Sequence, residues 1–312
     1  MSMNNRQVRV IDPILSNVAQ GYRHPERVGF ALFPRVPVKQ RGGQIIEFGR
    51  ESFKRYKTRR APGSNTKRVQ FGYEGKPFAL VQDALEGQVP WEHMQDANQV
   101  PGIDLGTQAT NETMNIMSLS LEIEQAEIAT SAANYSANNK VTLSGTDQWT
   151  SSDSDPAKQI REYREAVRSI IGVRPNTLEI PAAGFNALCE HPKILERFKY
   201  TSSDSITVEM LARLFNLRRI VIGEAVYMNE GSSTMVDAWG NAAVLAYVPE
   251  QISSRAEPSF GYTYTLEGHP IVEEPYNERN AKSWIYPVTY ERVPVLSGIE
   301  SGFLIQDVAA QS

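Results

Sequence analysis

The stretch that decides the fold runs from Asp155 to Pro181 and reads DPAKQIREYREAVRSIIGVRPNTLEIP. Asp155 followed by Pro156 is typical of a helix start, because aspartate can cap the first turn and proline fits its first position. Apolar residues then recur at a helical 3-4-3 spacing as far as Gly172, which favours a helix end. The segment NTLEI (176–180) has the composition of a short buried strand. A helix followed by a strand is therefore predicted, as the opening of an α/β unit.

The α/β pattern continues to about residue 250. A short helix is predicted for AAGFNALCE (182–190) and another around residues 208–215, with strands for RRIVIG (218–223) and AVLAYV (243–248). Beyond residue 250 the chain is rich in strands, with tyrosine and threonine alternating in SFGYTYTLEG (259–268). The run KSWIYPVTYERVPVL (282–296) is similar.

Upstream, one long helix is predicted over about residues 107–133, where neither proline nor glycine interrupts the chain. Its charged residues are all acidic. The predicted apolar stripe consists of Ile116, Leu119, Ile123, Ala126 and Ala133, widened by Met117 and Leu121. A polar loop is predicted from about residue 134 to residue 155.

The first 88 residues have no obvious core of their own. Residues 1–38 are predicted to form an extended arm, because four prolines interrupt them and LFPRVPV (32–38) reads as extended chain. Apolar residues such as Leu32 and Phe33 need a surface, which could belong to this chain or to a neighbour. Residues 39–88 are predicted to form a long β-hairpin, with GGQIIEFG (42–49) leading out and VQFGYEGKPFALV (69–81) returning.

The overall charge conceals a strong polarisation along the chain. The protein has 312 residues, a mass of 34.9 kDa and a formal net charge of −4. Residues 50–68 carry eight cations and one acid, a net charge of +7, whereas residues 69–139 carry ten acids and one lysine, a net charge of −9. Such an asymmetry suggests a charged partner.

Three interpretations of the basic run 50–68 remain open. It could dock onto an acidic protein surface, bind nucleic acid through phosphates with Phe53 and Tyr56 stacking on bases, or be a solvated loop. Docking is favoured, because an acidic block of nearly equal size follows and because an isolated hairpin is marginal in water.

The sequence offers little for chemistry. It has no phosphate-binding glycine loop and no metal-binding histidine pair, and Asp153 and Asp155 are better explained by a polar loop and a helix cap. Cys189 lies two residues before His191, but a core cysteine is favoured over a nucleophile. The single cysteine excludes a secreted disulfide scaffold, and neither a signal peptide nor a membrane-spanning run is visible. No catalytic residue, metal site or cofactor is predicted.

The order of parts resembles the major capsid protein of tailed bacteriophages, whose architecture is the Hong Kong phage-type capsid fold. The stretch 155–181 followed by FNALCEHPKILERF (185–198) is similar to the start of that family's axial domain, and WGNAAVLAYVPE (239–250) is similar to its exit. The resemblance implies an α+β fold with an arm, an extended loop, a peripheral domain containing a long spine helix, and an axial domain. The implied divisions are 1–38 for the N-terminal arm, 39–88 for the extended loop, 89–155 with 251–293 for the peripheral domain, and 156–250 with 294–312 for the axial domain.

The resemblance also implies a structural subunit that assembles with copies of itself into hexamers and pentamers of an icosahedral shell. Some members of the family carry a scaffolding region ahead of the arm. This chain begins with Met1 almost at the arm, so it is expected to be either an already trimmed form or, as Met1 favours, a protein with a separate scaffolding partner. A portal, a cement protein, weak non-specific contact with packaged DNA, and assembly in the host bacterial cytoplasm are further expectations.

Charge and resemblance together predict contacts between copies, in which the basic hairpin of one subunit meets the acidic helix of another. The predicted contact residues are Arg50, Lys54, Arg55, Lys57, Arg59, Arg60, Lys67 and Arg68 on the hairpin, and Glu112, Glu122, Glu124 and Glu127 on the helix.

Overall fold

The computed structural model describes residues 11–45, 59, 76–97, 104–199, 206–250 and 258–310. Helices and strands are about equally represented in these ranges. The α-helices are α1 (Pro13–Gly21), α2 (Trp91–Ala97), α3 (Leu105–Thr130), α4 (Pro156–Ile171), α5 (Ala182–Glu190), α6 (Pro192–Phe198) and α7 (Val208–Leu214).

The strands of the described residues form two large sheets and two small ribbons. The first large sheet contains β1 (Arg35–Val38), β4 (Val81–Pro90), β11 (Gly261–Leu266), β12 (Ile271–Val272), β13 (Tyr276–Glu278) and β14 (Ser283–Leu296). The second contains, in spatial order, β5 (Lys140–Thr142), β15 (Gly302–Gln306), β10 (Ala242–Ala246), β6 (Thr177–Pro181) and β7 (Arg219–Gly223). The ribbons pair β2 (Gly42–Gln44) with β3 (Pro77–Ala79), and β8 (Val226–Met228) with β9 (Met235–Asp237).

The helix and strand predicted from residues 155–181 are confirmed. The Asp155 carboxylate accepts the Lys158 N–H at 3.0 Å, and Pro156 is the first helical residue. Gly172 ends α4 with φ = 71°, a left-handed conformation that glycine adopts without the steric penalty of a Cβ. Strand β6 follows with every residue buried. Local capping chemistry therefore sets both ends of this helix.

The five-stranded sheet is covered on one side by α4, α5, α6 and α7. Ile160 and Val167 of α4, Leu188 of α5 and Leu211 of α7 are each fully buried there. Strand β5 also belongs to this sheet, since it runs parallel to β15. The predicted polar loop 134–155 therefore contributes a strand to this unit, in addition to its turns.

The six-stranded sheet is organised around β14, the longest strand. Strand β4 pairs with one edge of β14 from Ser283 to Arg292, and β11, β12 and β13 pair with successive parts of it. Helix α3 packs on this sheet through Met114, Met117 and Leu121, which meet Val288 in a common cluster. The C-terminal part of α3 reaches the five-stranded sheet, where Ala126 and Val244 share another cluster. The long helix thus bridges both sheets.

The N-terminal segment is less extended than predicted. Residues 13–21 form α1, whose side chains join the cluster between α3 and the six-stranded sheet. Leu32 and Phe33 are fully buried against Phe260 and Ala126. The surface that covers these residues therefore belongs to this chain. The extended run at residues 35–38 is confirmed as strand β1, parallel to β11.

The predicted hairpin is confirmed only at its base, where β2 and β3 pair antiparallel. Residues 46–58 and 60–75, which form most of the predicted excursion, lie outside the described residues. The return strand also differs from the prediction, since β4 pairs with β14 along its whole length. Residues 81–88, assigned from the sequence to the hairpin, therefore belong to the six-stranded sheet.

Replacing Asp104 by alanine is expected to lower the free energy of unfolding by about 1 kcal/mol, the usual cost of losing an N-cap. The Asp104 carboxylate accepts N–H groups from Gly106 at 3.0 Å and Thr107 at 3.3 Å at the start of α3. The Thr107 hydroxyl, followed by these amides, lowers the pKa of Asp104. A lowered pKa means that the cap stabilises the fold above the carboxyl's ordinary value of 3.8 and that this stabilisation is lost as the pH falls below it.

Denaturant titrations of both proteins measure this difference. They should show it at neutral pH and show it shrinking in acid. A loss that is the same in acid as at neutral pH would contradict the capping role.

Candidate functional site

Helix α3 buries a different side from the predicted one. Met117, Leu121 and Ala126 are buried as predicted. Ile116, however, is 56% exposed, and Leu119 and Ile123 are only half-buried. The helix carries apolar residues on two sides, and the six-stranded sheet covers only one of them. Ala133 lies beyond the end of α3 at Thr130, so it is not part of either stripe.

The outward side of α3 is an apolar stripe between two acids. Ile116, Leu119 and Ile123 follow one another at spacings of three and four residues, which places them on one face of a helix. Glu112 lies four residues before this stripe and Glu127 four residues after it, and both are exposed. The five positions span about 22 Å along the helix axis. We call these five residues the outward α3 face.

Glu122 is not on this face. It is 1% exposed, and its carboxylate accepts N–H groups from Gly29 at 2.8 Å, Val28 at 3.0 Å and the Trp239 indole at 2.8 Å. Burial raises the pKa of Glu122, while these hydrogen bonds and the charge of Arg27 act in the opposite direction. Because Glu122 is enclosed and bonded within its own chain, we leave it out of the proposed acceptors for a neighbour's cations.

Glu124 also has a partner within the chain. The guanidinium of Arg292 is 1% exposed and lies 2.8 Å from Glu124 and 2.9 Å from Asp83. It also lies over the Tyr290 ring at 5.5 Å, a distance at which a cation is attracted to an aromatic face. Arg292 thus joins α3, β4 and β14. Glu124 keeps 44% of its side chain exposed but is already paired within the chain, where it shares the Arg292 cation with Asp83.

The base of the hairpin is fastened to β14 by a two-pronged ion pair. Arg41 donates to Glu291 from Nε at 2.6 Å and from Nη2 at 2.9 Å, and the Glu291 side chain is only 3% exposed. The hydrogen bond from Arg41 to Glu291, reinforced by their opposite charges, raises the pKa of Arg41. His269 lies 4.0 Å from the same carboxylate. The base of the predicted hairpin is therefore fixed to the six-stranded sheet at Arg41.

The predicted basic contact residues mostly lie outside the described residues. This holds for Arg50, Lys54, Arg55, Lys57, Arg60, Lys67 and Arg68. Arg59 is described and is exposed. Their pairing with the outward α3 face stays a prediction.

Among the described residues, no group is arranged to activate the thiol of Cys189 for nucleophilic catalysis. Its Sγ lies 3.8 Å from the Ile206 carbonyl, and burial raises the pKa of the thiol, which disfavours the reactive thiolate. His191 is engaged elsewhere, since its Nε2 lies 3.0 Å from the Ser154 hydroxyl and its Nδ1 caps α6 by accepting the Lys193 N–H. Cys189 is half-buried, so it is less enclosed than the predicted core cysteine.

The described residues contain neither a metal-binding cluster nor a membrane-spanning helix. Within the described ranges, no three histidine, cysteine, aspartate or glutamate side chains are grouped to hold a metal ion. No helix in the described part of the chain combines the length and apolarity needed to cross a membrane.

The sequence did not point to two residues that organise this region, Arg292 and Glu291. Both lie inside β14, a buried strand, where a charged residue is rare and requires a partner. A charged residue within a mostly apolar strand was therefore the sequence signal that could have indicated a buried ion pair. The identity of the partners, which come from more than 160 residues away, was not visible in the sequence.

Comparison with known proteins places this architecture. A family profile described as phage major capsid protein E matches residues 124–283. The major capsid protein of Burkholderia phage BcepMu is 34% identical over 306 residues, which cover 97% of this chain and 98% of that protein. The solved structure of a phage-related protein from Bordetella bronchiseptica RB50 has a TM-score of 0.86 and 48% identity, covering 98% of this chain and 100% of that one.

A more distant likeness concerns the fold alone. The mature capsid of bacteriophage PhiM1 is 13% identical with a TM-score of 0.53, covering 92% of this chain and 88% of that one. The expected α+β Hong Kong phage-type capsid fold is thereby confirmed. A family match over half of the chain and a relative aligned along nearly all of it lead to one conclusion: the chain belongs to the phage major capsid protein family and is a structural subunit of the capsid.

Proposed function

We propose that copies of this subunit associate as hexamers and pentamers of an icosahedral, DNA-containing head shell, and that the basic segment 50–68 of one copy docks on the outward α3 face of a neighbour. The role is structural rather than catalytic. The observation that carries the docking proposal is an apolar stripe flanked by exposed acids, on a helix whose other side already fills the core.

The chemistry of the two surfaces is complementary. The segment 50–68 has a net charge of +7 and contains Phe53 and Tyr56. These aromatic side chains offer apolar area to Ile116 and its neighbours, while the surrounding cations face Glu112 and Glu127. Each exposed ion pair contributes only about 0–1 kcal/mol, but repetition over many symmetric contacts sets geometry and leaves each contact reversible.

Reversing charges on both surfaces tests the docking. Changing Glu112 and Glu127 to lysine, or Lys54, Arg55 and Lys57 to glutamate, is expected to abolish shell assembly at moderate ionic strength. Combining the two sets is expected to restore it, because attraction between opposite charges returns. Electron microscopy and sedimentation of the purified protein measure closed shells against free subunits.

A matched control changes Glu190 and Glu196 to lysine, since both are exposed acids on α5 and α6 rather than on α3. This control should assemble like the unmodified chain. Assembly of the α3 variant, or no rescue by the combined set, would contradict the electrostatic contact. Salt should weaken assembly in the unmodified chain, because exposed charges are screened over about 8–10 Å.

Membership of the capsid protein family suggests further partners. We propose a separate scaffolding protein, a portal and a cement protein as protein partners, weak contact with the packaged DNA, and assembly in the host bacterial cytoplasm. Nucleic-acid binding by the segment 50–68 is the alternative function. It predicts salt-dependent DNA binding by free subunits that survives reversal of the α3 acids.

A further inference from the structure

A second buried carboxyl lies next to the Glu122 network. Glu179 is at the centre of β6 and fully buried, and among the described residues the backbone amide of Val244 is the donor that acts on its carboxyl, without a well-aligned hydrogen bond to either oxygen. Its register partner on β10 is Val244, which packs in the apolar layer between α3 and the five-stranded sheet. An acid in such a layer needs an explanation, because an unpaired charge there is costly.

Glu179 and Glu122 both lie near the same indole ring. Trp239 donates its Nε1–H to Glu122, and the edge of its ring lies against the backbone of Gly223. A methyl group built on Gly223 would lie 2.6 Å from Glu179 Oε1 and still closer to the Trp239 ring. Glycine at position 223 therefore leaves the space in which the ring and the Glu179 carboxyl come together. The two acids belong to one contact between α3 and the sheet.

The groups around Glu179 favour a neutral carboxyl. Glu122 faces it from α3, Tyr135 from the segment after α3, and the backbone amide of Val244 from β10. Arg27, the cation of this region, acts on Glu122. No ion pair among the described residues includes Glu179. Burial above all, and then the charge of Glu122, raises the pKa of Glu179 well above its ordinary value, against a weaker influence of the Val244 amide.

We propose that Glu122 and Glu179 form a proton-dependent latch between α3 and the five-stranded sheet. In the closed state Glu122 is charged and accepts its three N–H groups, and Glu179 is neutral. Loss of the proton from Glu179 puts two like charges into one buried contact and loosens the helix from the sheet. This inference rests on the fold of the single chain and does not depend on the proposed docking.

The direction of the pH effect follows from proton linkage. Because the folded chain holds a proton on Glu179 that the unfolded chain releases above about pH 4.5, the folded state binds more protons over this range. Stability from this group is therefore present at low pH and is lost as the pH rises towards the folded pKa. One proton corresponds to a change of about tenfold in the unfolding equilibrium constant per pH unit.

The test compares the unmodified full chain with Glu179→Gln from about pH 5 to about pH 8 by denaturant unfolding. The ratio of the two unfolding constants should change by up to about tenfold per pH unit, with the unmodified chain losing stability relative to the variant as the pH rises. A constant offset from burying an amide leaves this slope unaffected. Glu127→Gln, an exposed acid on the same helix, is the control and should run parallel to the unmodified chain.

Hydrogen exchange then shows which part of the chain opens when Glu179 loses its proton. Raising the pH should increase opening of residues 121–130 of α3, after correction for intrinsic exchange, in the unmodified chain and not in Glu179→Gln. Parallel stability profiles of these two proteins would overturn the latch.

Infrared spectroscopy of the unmodified chain keeps the proposal testable even where Glu179→Gln does not fold. A protonated-carboxyl band that persists above the pH range in which exposed carboxyls titrate, and that remains in Glu122→Gln, supports the latch, and its absence overturns it.

Discussion

Replacing Phe33 by alanine is expected to lower the free energy of unfolding by about 3–5 kcal/mol, the usual cost of emptying a large aromatic site in a core. Phe33 is fully buried, and its ring centroid lies 5.5 Å from that of Phe260. Its carbonyl accepts the Thr263 hydroxyl at 2.9 Å. The backbone of Gly261 lies so close that a methyl group there would be 2.5 Å from the Phe33 ring. Little can therefore move in to fill the void.

Equilibrium unfolding in denaturant measures this loss. Ile14→Ala is the matched control, because Ile14 lies in the same N-terminal segment and is 74% exposed, and it should change stability by no more than about 0.5 kcal/mol. Equal effects of the two substitutions would show that the N-terminal segment is not anchored through Phe33.

Replacing Arg292 by alanine is expected to cost about 3 kcal/mol, at the low end of the range for breaking a buried ion pair. The guanidinium is enclosed, but its partners Asp83 and Glu124 keep 35% and 44% of their side chains exposed, so water can reach them once Arg292 is gone. Hydration of the freed acids keeps the loss at the low end of that range. The loss includes the contact between Arg292 and the Tyr290 ring as well as the two ion pairs.

Arg292→Met separates the packing contribution of the side chain from the contribution of the ion pairs, since methionine restores apolar volume without charge. It should recover part of the stability lost in Arg292→Ala. Arg279→Ala removes an exposed arginine near the end of β13 and should be close to neutral. A loss for Arg292→Ala as small as that for Arg279→Ala, by thermal or denaturant unfolding, would contradict the role of Arg292 as a joint between helix and sheet.

Elements with local end signals could be predicted from the sequence. Helix α4 is bounded by Asp155 and Gly172, and the structure uses both as caps. The same signal was present and was missed at the N-terminus, where the Asp12 carboxylate accepts the Ile14 and Leu15 N–H groups ahead of Pro13. Helix α1 was not predicted, because the later prolines favoured extended chain and that prediction was applied to the whole segment.

The burial of α3 could not be predicted in the same way. Its sequence contains two apolar stripes, one with Met117 and Leu121 and one with Ile116 and Ile123, and periodicity alone does not say which of them meets a sheet. That choice is made by packing between distant parts of the chain. The same limit applies to charge, since Glu122 reads as a surface acid until Trp239 and the chain at residues 28–29 enclose it.

The pairing of the first strand with a late one has a consequence for synthesis. The Phe33 carbonyl and the Thr263 hydroxyl that bonds it are 230 residues apart, and β1 has no partner before β11 exists. At about 5–20 residues per second, Leu32 and Phe33 leave the ribosome roughly 10–50 s before the strand that covers them. The nascent chain therefore carries Leu32 and Phe33 without their complete cover until β11, in the last sixth of the chain, is made. The N-terminal segment therefore reaches its native packing only after most of the chain has been synthesised, later than helix α4, whose two caps are local.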